Sequence, residues 1–297
     1  MVDMDSELKF CYAYNRRLLS HYSKSFYLAT RLLPRFKQRA VFALYGFCRF
    51  ADNLVDKPRN RTPEEMLNEM RFLEEELKVA FRTGESEHPV ICAFVHTALA
   101  YGIPLKYPLE LIEGVVMDIR HQRYRHFDEL LFFCHRVAGV VGLMMTHILG
   151  RTDDRAFEYA DRLGIAMQLT NILRDIREDK NNGRIYLPLD EMKRFHVREN
   201  DIIQEKYTDA LNALMRFSVQ RAHRYYEEAL PGIDMLTRNC RFAIRASSDI
   251  YRKILDEIAA NDYNPFLGRV YVTQARKMRI IMSGYIRSKI NWNQSAV

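Results

Sequence analysis

The chain has 297 residues, 45 lysines and arginines against 38 aspartates and glutamates, and 48% hydrophobic residues. That length can bury roughly three-quarters of the unfolded surface, and the composition excludes disordered, collagen-like and low-complexity chains. The net charge of +7 suits nucleic acid, anionic lipid or anionic small molecules, and alone does not choose among them.

With 12 glycines and 9 prolines, a many-turn β-sandwich is disfavoured. Five cysteines (Cys11, Cys48, Cys92, Cys134, Cys240) lie scattered without a C-x-x-C pair, which argues against a disulfide framework or a zinc cluster and for free thiols in a reducing compartment. The first residues are acidic and lead into no apolar run, so no secretory or transit signal is expected. The longest charge-free stretch, 137–150, is shorter than the roughly 20 residues a bilayer span needs, so the expectation is a cytoplasmic protein, soluble or peripheral to a membrane.

Apolar residues recur at helical spacing nearly throughout, without a repeat of fixed length or a linker, which predicts one all-α domain over 1–297. A first helix is predicted over 6–22, with 23–25 as a cap region. A second is predicted over 36–55, after Pro34 and before Lys57-Pro58. Thr62-Pro63-Glu64-Glu65 is a helix start: a capping threonine, proline in the first turn, acids at the positive end. Further helices are predicted over 90–101, 108–120, 127–149, 153–178, 201–230, 234–260 and 270–288. Gly102, Asn181-Asn182-Gly183 and Pro231-Gly232 punctuate them. Ala138, Gly139 and Gly142 inside an apolar helix predict a close approach by a neighbouring helix.

Two helices carry unusual polar stripes. Tyr45, Arg49, Asp52 and Asp56 share one face of the first; Gln168, Asn171, Asp175 and Asp179 share one face of the other. Each has aspartates at i and i+4, which repel, inside apolar surroundings that strengthen the repulsion. An all-oxygen donor set suits a hard cation such as Mg²⁺, which binds through one or two carboxylates together with substrate phosphates. Two facing pairs could hold such ions against a diphosphate; a solvated helix face is the alternative. Arg49, Arg174 and Arg184 beside them either pair with the acids or clamp phosphate.

At these residues the sequence resembles squalene and phytoene synthases. HYSKSFYLATRLLPRFKQRAVFALYGFCRFADNLVD (21–56) is similar to the first signature of that family, and QLTNILRDIREDKNNGRIYLP (168–188) to the second, more specific one. RVAGVVG (136–142) looks like its Val-Ala-Gly helix, and Tyr251, Arg269 and Lys277 fit its C-terminal pattern, so the match covers about 8–285. The resemblance implies an all-α isoprenoid synthase fold with a central cavity, and head-to-head (1′–1) condensation of two prenyl diphosphates. It implies that Asp52, Asp56, Asp175 and Asp179, with Asn171, hold Mg²⁺ (or Mn²⁺), with Gln168 extending that shell. Ser23, Ser25, Arg49, Arg174, Tyr251 and Arg269 match diphosphate-contacting positions; Phe26, Tyr45, Val137 and Tyr186 match cavity positions. Arg49 and Tyr45 join the four aspartates as the catalytic set.

There are departures. Phe133 and His135 stand where many members carry tyrosines, and Val140 replaces a common threonine. A phenol's role there is either lost or moved, and His135 either takes it or is an ordinary satisfied histidine. Thr30, where C30 enzymes of the family more often have a bulky aromatic, together with Ser25-Phe26-Tyr27-Leu28-Ala29-Thr30, favours geranylgeranyl diphosphate and phytoene. NADPH is then not expected. The alternatives are a C30 enzyme making squalene, dehydrosqualene or presqualene diphosphate, and, more remotely, a non-catalytic helical assembly factor. The basic C-terminal stretch (Arg269, Arg276, Lys277, Arg279, Arg287, Lys289) reads as a solvated face or a membrane-surface contact; no nucleic-acid partner is expected, because no recognisable motif accompanies the charge.

Overall fold

Helical periodicity carries through to the three-dimensional structure, a computed structural model that describes residues 6–56, 61–120 and 123–294, without the side chains of 25, 56 and 287–294. Among the described residues there are α-helices joined by short turns and no strand; one isolated bridge pairs Arg151 with Leu236. The order is α1 (Ser6–Tyr22), α2 (Lys24–Thr30), α3 (Arg35–Asp56), α4 (Pro63–Thr83), α5 (Pro89–Tyr101), α6 (Lys106–Ile119), α7 (Phe127–Cys134), a π-helical stretch (His135–Gly139) and α8 (Val140–Leu149). It continues with α9 (Ala156–Asn181), α10 (Leu189–Arg194), α11 (Glu199–Ile203), α12 (Asp209–Ile233), α13 (Arg238–Ala260) and α14 (Gln274–Gln294).

The predicted start of α4 is a capping box: the Glu65 N–H donates to Thr62 Oγ1 (3.2 Å) and the Thr62 N–H to the Glu65 carboxylate (2.7 Å). Such a cap contributes about 1 kcal/mol. The cap region at 23–25 is a helix start too, but Ser23 makes no capping bond with its side chain and lines a cavity instead.

Boundaries move where the chain turns without glycine. The helix expected over 201–230 is two: α11 ends at Ile203, Glu205 takes a left-handed φ of 53°, and Thr208 caps α12 by accepting from the Leu211 N–H (3.2 Å). Pro231-Gly232 does not break α12, which runs on to Ile233 with proline in its last turn. The final helix runs 274–294 rather than 270–288, and α10 is a short helix in a stretch left without one.

The segment 127–149 is one continuous run of α7, the π-helical stretch and α8, long and apolar enough by length and composition alone to cross a bilayer, with the charge-free 137–150 as its second half. Here it packs against α9, α6 and α3. The glycine prediction has a geometric basis. A Cβ at Gly142 would lie 2.3 Å from the Ala160 carbonyl oxygen, and one at Gly164 would lie 2.3 Å from that of Ala138, so the two backbones touch directly. Helix α9 is thereby central, flanked by α8, the π-helical stretch, α12 and α13. One apolar cluster joins α3 to α4, α5, α6 and α8; a second joins α9 to α10, α12 and α13. A cavity remains between α2, α3, the π-helical stretch, α8, α9, α12 and α13, with about 1310 Å³ of empty space including its open mouth.

Candidate active site

One stripe of α9 organises the cavity. Ala156, Ala160, Gly164, Gln168 and Asn171 line it in succession, and Asp175 and Asp179 continue the same face. The wall is apolar at the Ala156 end, with Leu149, Ile233 and Leu236, and polar at the other, with Ser23, Tyr45, Asp52, Gln168, Asn171 and Tyr251. The structure therefore brings Tyr45 and Asp52 of the α3 stripe and Gln168 and Asn171 of the α9 stripe to one end of one cavity, while Asp179 lines a small pocket with Arg184 and Tyr186. Phe26 and Val137 line the wall, with Phe26 stacked on Tyr45 at 5.8 Å. Burial pushes the Tyr45 phenol above its ordinary pKa, against the pull of Arg49. The Arg49 guanidinium covers the Tyr22 ring at 4.6 Å.

At the mouth the acids meet arginines. Asp175 accepts from Arg174 Nε (2.8 Å) and Nη2 (2.5 Å), a bidentate pair. It also accepts from Arg269 Nη2 (3.1 Å), whose Nη1 lies 3.2 Å from Glu178. Asp179 lies one turn further along α9, beside Arg184: burial, then the negative charges of Asp175 and Asp118, push its carboxyl up to about 8, partly offset by Arg184. Asn171 donates to Gln168 Oε1 (3.3 Å), while its own Oδ1 is buried and accepts no hydrogen bond. The side chains of Asp56 and Ser25 lie outside the described residues.

Two positions differ from their sequence-based placement. Tyr186 does not line the main cavity: it is buried beside Asp179 and Arg184, stacks on Phe133 at 5.3 Å, and donates its hydroxyl to Asp118 (2.8 Å). Thr30 is buried and is not among the residues lining the cavity either; its hydroxyl donates to the Phe26 carbonyl one turn back (2.8 Å). Asp118 was not singled out from the sequence. Its signal is a carboxylate in the last turn of the apolar helix α6, before Arg120 and Arg123. His135 faces away from the cavity. Its Nδ1 is 2.6 Å from Asp161 and its Nε2 3.9 Å from Glu110, and the Asp161 hydrogen bond holds its pKa up. Lys277 is buried on the inner side of α14, where burial holds its pKa down.

Among the described residues no three His, Cys, Asp or Glu side chains converge as a ready-made metal cage. The donor set does fit a hard cation that completes its shell with phosphate: carboxylates from two helices and a buried amide oxygen with nothing to accept. Chemically, the arrangement can grip a polyanion at one end and keep an apolar chain dry at the other.

The comparisons agree with this geometry. The family model for squalene/phytoene synthase matches residues 19–276. A phytoene synthase from Arthrospira platensis is 38% identical over 93% of this chain and 92% of its own. Phytoene synthase 2 of Solanum lycopersicum is 38% identical over 94% and 91%. A dehydrosqualene synthase crystal structure superposes with a TM-score of 0.87 at 32% identity, over 95% of this chain and 98% of that one. A squalene synthase from Alicyclobacillus acidocaldarius superposes at 0.80 with 26% identity, over 89% and 98%. The fold is therefore the all-α isoprenoid synthase fold, and the chain belongs to the squalene/phytoene synthase family of prenyltransferases.

Proposed function

We propose that the chain joins two molecules of geranylgeranyl diphosphate head to head to give phytoene, a step of carotenoid biosynthesis. The observation that carries this reading is a single cavity with Asp52, Gln168 and Asn171 at its polar end and an apolar depth along α9, with the Arg174–Asp175–Arg269 cluster one turn further along the same helix. An allylic diphosphate ionises slowly because the leaving group is a polyanion. Arg174 and Arg269, now paired with Asp175, and Arg49 beside Tyr45 can place guanidinium forks on the developing charge. Asp52, Asp56, Asp175, Asp179 and Asn171 would hold divalent metal, Mg²⁺ or Mn²⁺, which supplies further neutralisation of the diphosphate when bound. Phe26, Val137 and the aliphatic wall exclude water from the allyl cation, and the aromatic faces of Phe26 and Tyr45 suit a positive charge.

The double bond of the second substrate attacks that cation, one proton leaves, and a cyclopropylcarbinyl diphosphate forms. A second ionisation, rearrangement and proton loss give the hydrocarbon and two diphosphates in all, so no hydride donor is required and NADPH has no role. The test is a product assay with Mg²⁺ and geranylgeranyl or farnesyl diphosphate, each with and without NADPH. A C40 hydrocarbon without NADPH is expected. A C30 product, or a stalled cyclopropyl diphosphate, would move the function to the squalene side, a reading favoured by the superposition on a dehydrosqualene synthase. No product from folded protein would favour an assembly role.

The hydrocarbon must leave for a bilayer, and α14 offers a route. Met278, Met282 and Ile286 form an exposed stripe beside Arg279, on a different face from Ile281 and Tyr285, which pack towards Ile250 and Phe242 of α13. We read this as contact with an anionic membrane surface, the enzyme remaining cytoplasmic and peripheral. Salt-sensitive flotation with anionic liposomes is expected; no binding would refute it. Both apolar clusters draw on interleaved stretches of chain, which supports one domain over 1–297.

A further inference from the structure

The length of substrate that the cavity accepts is legible along α9. From Asn171 at the polar end to Ala156 at the apolar end the helix advances about 22 Å at 1.5 Å per residue. A prenyl chain advances about 1.3 Å per carbon–carbon bond of about 1.5 Å, so three isoprene units reach about 15 Å and four about 20 Å. The difference is about 5 Å, close to the 5.4 Å pitch of one helical turn. The turn in question is the last to line the cavity, from Ala160 to Ala156, and both residues end at Cβ.

This turn cannot draw back to admit larger side chains. The Ala160 carbonyl oxygen stands where a Cβ on Gly142 would come within 2.3 Å, so α9 lies directly on α8. A longer side chain at 160 must enter the cavity. Beyond it Tyr159 lies against Gly232, where an added Cβ would come 2.1 Å from the Tyr159 Cβ, and both residues line the cavity. From this geometry we infer that Ala160 and Ala156 are the specificity-determining residues that leave room for a fourth isoprene unit, and that Tyr159, seated on Gly232, is the wall that stops a fifth. The assignment rests on the prenyl-diphosphate reading of the cavity and deepens it.

The experiment measures binding of non-ionising thiolodiphosphate analogues with three, four and five isoprene units, with Mg²⁺, to wild type and to Ala160→Val, Ala160→Leu and Tyr159→Ala. Thermal unfolding shows that each variant is folded, and the graded Val substitution covers the case in which Leu is not. One methylene in an apolar pocket already discriminates 10–200-fold. Ala160→Leu is therefore expected to weaken the four-unit analogue at least tenfold relative to the three-unit one, with Val intermediate. Tyr159→Ala is expected to strengthen the five-unit analogue about tenfold relative to the four-unit one. Equal effects on all chain lengths, or none, overturn the assignment. The wild-type product assay is separate: a C30 product alone would overturn the phytoene reading, while the affinity ratios still decide what sets the depth.

Discussion

Replacing Arg269 by alanine separates holding the fold from gripping the substrate. Its side chain is 57% exposed and bridges Asp175 and Glu178, while Asp175 keeps its bidentate bond to Arg174. Each of its two ion pairs contributes about 0–1 kcal/mol. At about 2 °C per kcal/mol, the low end for domains somewhat smaller than this one, the melting temperature should fall by no more than about 4 °C. Catalysis should respond differently. If Arg269 hands its fork from Asp175 to the diphosphate, it loses most where the leaving group gains charge, and removing one such donor costs about 10²–10³ in kcat. Arg269→Lys should recover only part, because an ammonium cannot form the planar fork. The assay pairs initial rates of diphosphate release with calorimetric unfolding of the same preparations. A rate within threefold of wild type, with a melting temperature lowered by more than about 5 °C, would show that Arg269 is a structural clip and refute the hand-over.

Asp52→Ala and Asp175→Ala should each abolish turnover while circular dichroism and thermal unfolding remain those of a folded protein; near-normal turnover in either would remove the metal–diphosphate reading. Gly164→Ala places a methyl 2.3 Å from the Ala138 carbonyl and should destabilise by about 1–3 kcal/mol or more, read by urea unfolding. Tyr186→Phe leaves Asp118 without its phenol donor and should lower stability by about 1–3 kcal/mol; an unchanged midpoint would mean that Asp118 finds another donor there. His135 has a raised pKa beside Asp161 and Glu110, so its charge stabilises the fold at pH below about 6.5 and that contribution fades as pH rises through the folded value. The stability gap between wild type and His135→Gln should shrink in the same direction, and a gap that does not change with pH would count against the pair.

What the sequence disclosed and what it hid follow from the range of each interaction. Helices α1, α3 and α5, and the capping box of α4, are set by neighbours within four residues, so spacing alone located them to within a residue or so. The break between α11 and α12 depends on a non-glycine residue with positive φ, which no local pattern announces. The polar stripes of α3 and α9 could be read as faces, but their meeting at one cavity end needed the contacts of α9 with α8 and α13. Asp118 and Tyr186 show the same limit: their hydrogen bond joins residues 68 apart. Thr30, whose small size favoured the longer substrate by resemblance, is buried outside the cavity lining, which only the packing of α2 reveals.

The site also explains why its arginines cannot be spared as ordinary surface charge. Helix α9 carries Asp175, Glu178 and Asp179 in its last turns, where the macrodipole already presents partial negative charge. Asp52 and Asp56 close α3 in the same unfavourable sense. Acids at the wrong ends of two helices are electrostatically unfavourable; at Asp179 burial, and after it the charges of Asp175 and Asp118, push the carboxyl up to about 8. Arg174, Arg184 and Arg269 offset this at α9 by standing close to Asp175 and Asp179. Cations that arrive with a diphosphate would release those arginines from the acids and leave them facing the anion. Charge that would be a liability in an inert bundle would thus, on the proposed reading, couple binding of metal and diphosphate to the arrangement of donors around the leaving group.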